Sequence, residues 1–115
     1  MKSQHQAKVE SISAQLEKDY QLALMAEFFQ SFSDQTRLKI INALMISELC
    51  VRDLAEIAGM SLPAVCHHMR HLRQLRLVQH RREGKNVIYS LNDEHIGMLF
   101  DICRTHLAEK EVKEQ

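Results

Sequence analysis

Apolar positions recur at helical spacing over most of this chain, and the phase of the pattern resets at a few polar punctuation marks. Val9, Ile12, Leu16, Tyr20 and Ala23 form one stripe, and Leu22, Leu24, Met25, Phe28, Phe29 and Phe32 make a denser set behind it. Gln4 to about Phe32 therefore reads as one long helix or two shorter ones. Its apolar surface exceeds what one side of a small domain needs, so we expect it to serve both the core and a partner subunit. Ser33 or Asp34 caps a further helix to about Met45, with Leu38, Ile41, Leu44 and Met45 inward and Arg37 outward. Leu49-Cys50-Val51 is a short extended join able to add a small strand.

Two short amphipathic helices follow. Val51, Leu54, Ala55 and Ala58 mark the first, and Gly59 stands where a left-handed stop is needed. Ser61 caps the second, and Pro63 falls in its first turn, where a missing N–H costs nothing. Val65, Met69 and Leu72 give that helix one buried stripe, and its other rows carry Leu62, Cys66, His67, Arg70 and Arg73. Two short helices around a Gly-containing turn, residues 51–76, predict a helix-turn-helix. Residues 78–91 then hold two β-prone runs around Glu83-Gly84-Lys85-Asn86, which predicts a hairpin with a basic tip, a wing. Asn92 or Asp93 caps a last helix over 93–110. The expected fold is mainly α with a small β-hairpin, a single winged helix-turn-helix domain over residues 1–115, with 1–20 as an N-terminal helix or arm.

Composition narrows the class. At 115 residues and 45% apolar, the chain suits one folded domain rather than a multi-domain enzyme. No run approaches the roughly 18 apolar residues of a membrane span, and no signal-peptide stretch opens the chain, so a cytoplasmic protein is expected. Three cysteines do not make a disulfide framework and read as reduced thiols. The net charge is zero, but its distribution is uneven: Ser61 to Leu91 carries six Lys or Arg against Glu83 alone, and four histidines besides. Such asymmetry is the footprint of a nucleic-acid surface. Ser61, Leu62, Pro63, Cys66, His67 and Arg70 are the expected groove-facing residues, and Arg81, Arg82 and Lys85 the expected phosphate contacts. No glycine-rich or nucleophile motif accompanies the histidines, so no enzyme and no small-molecule substrate are expected.

Several stretches together resemble the ArsR/SmtB family of winged-helix metal-responsive repressors. They are Ser33-Asp34-Gln35-Thr36-Arg37-Leu38, Glu48-Leu49-Cys50-Val51-Arg52-Asp53-Leu54-Ala55, Ala64-Val65-Cys66-His67-His68-Met69, Arg76-Leu77-Val78 and the wing from Arg82 to Leu91. The resemblance runs from about Phe28 to Glu109. It implies a homodimer, joined through its N- and C-terminal helices, that binds double-stranded operator DNA of two-fold symmetry and releases it on binding an inducer. Cys66 departs from the Ser more usual there, and a thiol is the poorer hydrogen-bond donor.

On the last helix, Asp93 and His95 lie near one end and His106 and Glu109 near the other. Asp93 and His106 are 13 positions apart, about 20 Å on a helix, so one chain cannot bring both pairs to one ion. Two antiparallel copies crossing near residue 101 can, giving two sites per dimer. Two imidazoles and two carboxylates suit Zn(II), with Co(II) or Ni(II) as alternatives. The resemblance implies the same, since zinc-sensing members of the family carry this Asp-x-His … His-x-x-Glu (or His) pattern on this helix. The plainer reading makes Asp93 an N-cap and His106 and Glu109 a solvated pair.

A second, weaker metal set is Cys50, Asp53 and, across the dimer, His5. The family's cadmium- and lead-sensing branch has Cys-Val-Cys-Asp there, but this chain has Arg52 at the second Cys. Cys50 and Cys103 also allow a thiol-based redox or persulfide response, as in some members, and a metal-independent DNA-binding regulator is the remaining alternative.

Overall fold

The computed structural model describes residues 1–114, with side chains as far as Lys110. By contact the chain forms two compact units, Met1–Gln30 and Ser31–Gln115. In the first, α1 spans Gln4–Gln15 and α2 spans Asp19–Gln30. Ser3 opens α1 through a reciprocal box: its Oγ accepts from the Gln6 N–H at 3.1 Å, and its own N–H donates to Gln6 Oε1 at 3.1 Å. Of the two possibilities for the N-terminal region, two helices form, separated by Leu16 to Lys18.

The second unit runs α3 (Gln35–Ile46), β1 (Leu49–Cys50), α4 (Val51–Ala58), α5 (Leu62–Gln74), β2 (Val78–Glu83), β3 (Asn86–Leu91) and α6 (Glu94–Glu114). Asp34 caps α3 by accepting from the Arg37 N–H at 3.0 Å. Gly59 ends α4 at φ +66, and Ser61 Oγ restarts the chain as α5 by accepting from the Ala64 N–H at 3.3 Å. These two residues make the sharp turn between the helices. The hairpin turns through Gly84 at φ +63, at the first central position of a two-residue loop between Glu83 and Asn86. Leu49-Cys50 does pair, antiparallel to β3, so the sheet order is β1-β3-β2.

The core lies where α3, α4, α5, the sheet root and α6 meet. Ile40, Ile41, Leu54, Val65, Met69, Leu72, Leu77 and Val78 are almost completely buried, joined by Leu44 and Ile96. The α5 stripe is the expected one. On α3 the buried face is rotated toward Ile40, and Leu38 and Met45 are only half-buried. Consecutive Ile40 and Ile41 are both enclosed, which a one-stripe reading of α3 does not anticipate.

The link from α5 to the wing is strained at one residue. Arg76 has φ +60, and the Leu77 N–H closes back on the Leu72 carbonyl at 2.9 Å. This is the left-handed helix stop that favours glycine, here held by an arginine. Arg76→Gly should raise stability by up to about 1 kcal/mol in urea unfolding, through relief of the Cβ strain. Leu54→Ala in the core should lower it by about 2 to 5 kcal/mol.

Candidate DNA-reading and metal-binding surfaces

The exposed side of α5 is built by subtraction. Val65, Met69 and Leu72 are fixed in the core, which leaves Ser61, Leu62, Pro63, His67 and Arg70 facing solvent and Cys66 half-buried beside them. Pro63 sits within the first turn, so the N-terminal end of the helix presents its side chains without a backbone penalty.

The other side of α5 is held by an arginine from α3. The Arg37 Nε–H donates to His68 Nδ1 at 3.3 Å, and Nη2 contacts His71 Nδ1. Arg37 is half-buried rather than pointing outward, because these imidazoles, one turn apart, give its guanidinium two acceptors. At the C-terminal end of α5, Arg73 Nη1 lies 3.1 and 3.2 Å from the two ring nitrogens of His80 on β2. His80 in turn packs on Tyr89 of β3, with ring centroids 5.6 Å apart. Burial raises the Tyr89 phenol above its usual pKa.

Strand register sorts the wing cations onto two faces. His80 pairs with Tyr89 and Arg82 with Val87, so both share the face that meets α5 through Arg73. Arg81 pairs with Ile88, which itself pairs with Cys50, so Arg81 lies on the opposite face. There its Nη1 ion-pairs with Glu48 and its Nη2 lies 3.3 Å from Glu83. Hydrogen bonding to Glu48 raises the Arg81 pKa further. Arg82 and Lys85 are exposed near the hairpin tip.

On α6, Asp93 caps the helix: its Oδ1 accepts from the His95 N–H at 2.9 Å and lies 3.2 Å from His95 Nδ1. Asp93 is thus the N-cap of the plainer reading, and the same carboxylate lies beside His95. His106 and Glu109 line a shallow open depression with Asp101, Ile102 and Thr105. Between the two pairs, Met98 and Ile102 are 53% and 65% exposed. Among the described residues, no three His, Cys, Asp or Glu side chains of one chain converge to hold a metal. The donor chemistry nevertheless fits zinc: two imidazoles and two carboxylates, all accessible, offered as two pairs.

Cys50 and Asp53 are adjacent, as the second set requires. The Cys50 N–H and Sγ–H both donate to Asp53 Oδ2, at 3.3 and 3.2 Å. His5 belongs to the other compact unit. Cys50, Cys66 and Cys103 are all free thiols.

Residues 34–80 match the family model described as bacterial regulatory protein, arsR family. A transcriptional repressor SmtB homolog from Synechocystis is 41% identical over 107 residues, covering 93% of this chain and 81% of the relative. The chain belongs to the ArsR/SmtB family. A cadmium resistance transcriptional regulatory protein CadC homolog from Staphylococcus aureus is 39% identical, covering 91% of this chain and 87% of its own. The solution structure of apo-NmtR superposes with a TM-score of 0.70 at 36% identity, over 82% of this chain and 79% of that one. ArsR/SmtB proteins are DNA-binding transcriptional repressors with a winged helix-turn-helix, not enzymes. No helix among the described residues is long and apolar enough to cross a membrane.

Three contacts escape the sequence pattern: Arg37 with His68 and His71, Arg73 with His80, and Glu48 with Arg81. Each joins elements that come together only in the folded chain, so no local spacing announces them. Arg37→Ala should cost about 1 to 3 kcal/mol in urea unfolding, because it leaves two half-buried imidazole nitrogens unpaired. His67→Ala, at an exposed position, should stay within about 0.5 kcal/mol of the parent.

Proposed function

We propose that this protein is a metal-responsive repressor, acting in the cytoplasm as a homodimer, that binds a two-fold symmetric operator and releases it when Zn(II) binds at the dimer seam. Co(II) and Ni(II) fit the same donors. The observation that carries this reading is the arrangement of α6, with one ligand pair at each end and exposed apolar side chains between. Met98 and Ile102, on the same helical stripe as His95, His106 and Glu109, give two antiparallel copies of α6 an apolar seam. Asp93 and His95 of one subunit would then meet His106 and Glu109 of the other. One relative is named for cadmium resistance, but the Cys-Val-Cys-Asp motif that the resemblance gives to cadmium sensing is broken in this chain at Arg52, and nitrogen and oxygen donors favour zinc over softer ions.

Ser61, Leu62, Pro63, Cys66, His67 and Arg70 are the residues assigned to the major groove, with Arg82 and Lys85 on flanking phosphates. Zinc held by Asp93 and His95 of one subunit and His106 and Glu109 of the other would supply a cross-link between the subunits. The chain's own residues carry the consequence. Gly97 of α6 lies against Met45 of α3, and Arg37 of α3 grips His68 and His71 on the recognition helix. A shift of α6 at the seam is thereby passed through α3 to the spacing of the two α5 helices.

The test is operator affinity with and without zinc in matched salt. A loss of about 5- to 150-fold with zinc is expected, with zinc affinity reduced by the same factor on DNA. Equal affinities would reject the sensor reading. His95→Ala and His106→Ala should each keep metal-free DNA binding and lose the response. Arg82→Gln and Lys85→Gln should each flatten the slope of log affinity against log salt by about 0.9.

A further inference from the structure

Among the described residues, Arg81 is the one wing cation tied down by carboxylates. Glu48, Arg81 and Glu83 form an exposed cluster in which one guanidinium faces two acids, so its formal charge is negative. A phosphate approaching it meets net repulsion, whereas Arg82, on the other face, has no such partners among the described residues. Glu48 immediately precedes β1, and Arg81 lies on β2, with β3 between them. Arg81, Ile88 and Cys50 stand in register across the three strands, so the guanidinium reaches over Ile88 to the chain leaving α3. The ion pair therefore connects the outer strand of a projecting hairpin to the body of the fold on the face away from α5. Arg73 with His80 makes the corresponding link on the near face.

We propose that Glu48 and Arg81 are positioning residues that brace the wing at a fixed angle to the recognition helix, and that Arg81 does not contact phosphate. This rests on the operator-binding reading above but adds a role that basic charge alone does not give. The β1–β3 pairing holds the inner strand at Tyr89 and Ile88 and Arg73–His80 holds the outer strand on the near face; the Glu48–Arg81 pair holds the outer strand on the far face as well. Preorganising the wing keeps Arg82 and Lys85 over their phosphates before DNA arrives, so the ordering cost is met on folding.

The two roles for Arg81 predict opposite signs at Glu48. Removing an acid near DNA strengthens binding if Glu48 merely competes with phosphate for Arg81, and weakens it if Glu48 holds the wing. The probe is a 30-base-pair duplex selected from a random-sequence library by the wild-type protein, titrated over a range of salt. Glu48→Gln and Arg81→Gln should each weaken binding about two- to fivefold with the wild-type salt slope, and the double variant should be no worse than either. The charge swap Glu48→Arg with Arg81→Glu should recover affinity to within about twofold. Hydrogen exchange of the β2–β3 amides in the free protein is the second readout, and it should speed up in both single variants. Tighter binding by Glu48→Gln, with a slope flattened by about 0.9 in Arg81→Gln, would overturn the proposal and make Arg81 a phosphate contact. Unchanged wing exchange would overturn it as well, and that arm decides even if no duplex is selected, an outcome that would count against the operator-binding reading itself.

Discussion

A straight helix rises about 1.5 Å per residue, and that single fact divides the donors of α6. Asp93 and His95 are fixed at one end, touching each other, while His106 and Glu109 sit three to four turns away beside an open depression. Neither pair alone satisfies a four-coordinate ion, and the chain cannot fold its own helix back to join them. The apolar residues between the pairs, exposed in a single chain, are what a second antiparallel copy would cover. On the proposed reading, sensing and dimerisation are one event in one helix: a metal that joins the pairs would also set how the subunits lie.

The output end obeys a different constraint. A recognition helix is useful only if its orientation is fixed, and α5 contributes just three side chains to the core. The remaining restraint comes from arginines: Arg37 from α3 on His68 and His71, and Arg73 to His80 on the wing. These contacts leave His67, Arg70 and the N-terminal turn free for DNA. They also place α3 between α6 and the reading helix, which gives a change at α6 a physical route to α5.

Much of this was legible in the sequence, because the signals are local. Gly59 and Ser61 mark the turn, the Val65-Met69-Leu72 stripe orients α5, and Gly84 places the hairpin tip. The pairing of Asp93 with His95 follows from two residues of separation at a helix start. What escaped was tertiary. Arg37 was expected outward, since nothing near it in sequence shows the imidazoles 31 and 34 positions later. Arg81 and Arg82 look alike in a charge count, yet strand alternation sends them to opposite faces, one toward Glu48 and one toward the side of α5. The face of α3 buried at Ile40 was likewise set by neighbours on two sides rather than by one stripe.

The most direct measurement of the central claim is zinc binding by mixed dimers. His95→Ala and His106→Ala homodimers should each bind no zinc at this site, because every site lacks one imidazole. Unfolding and refolding the two variants together should form heterodimers in which one site loses both histidines and the other keeps both. Recovery of one zinc per heterodimer, about half a zinc per dimer in an equal mixture, is the result predicted for ligands shared across the seam. Zinc retained by either homodimer, or none recovered on mixing, would contradict it.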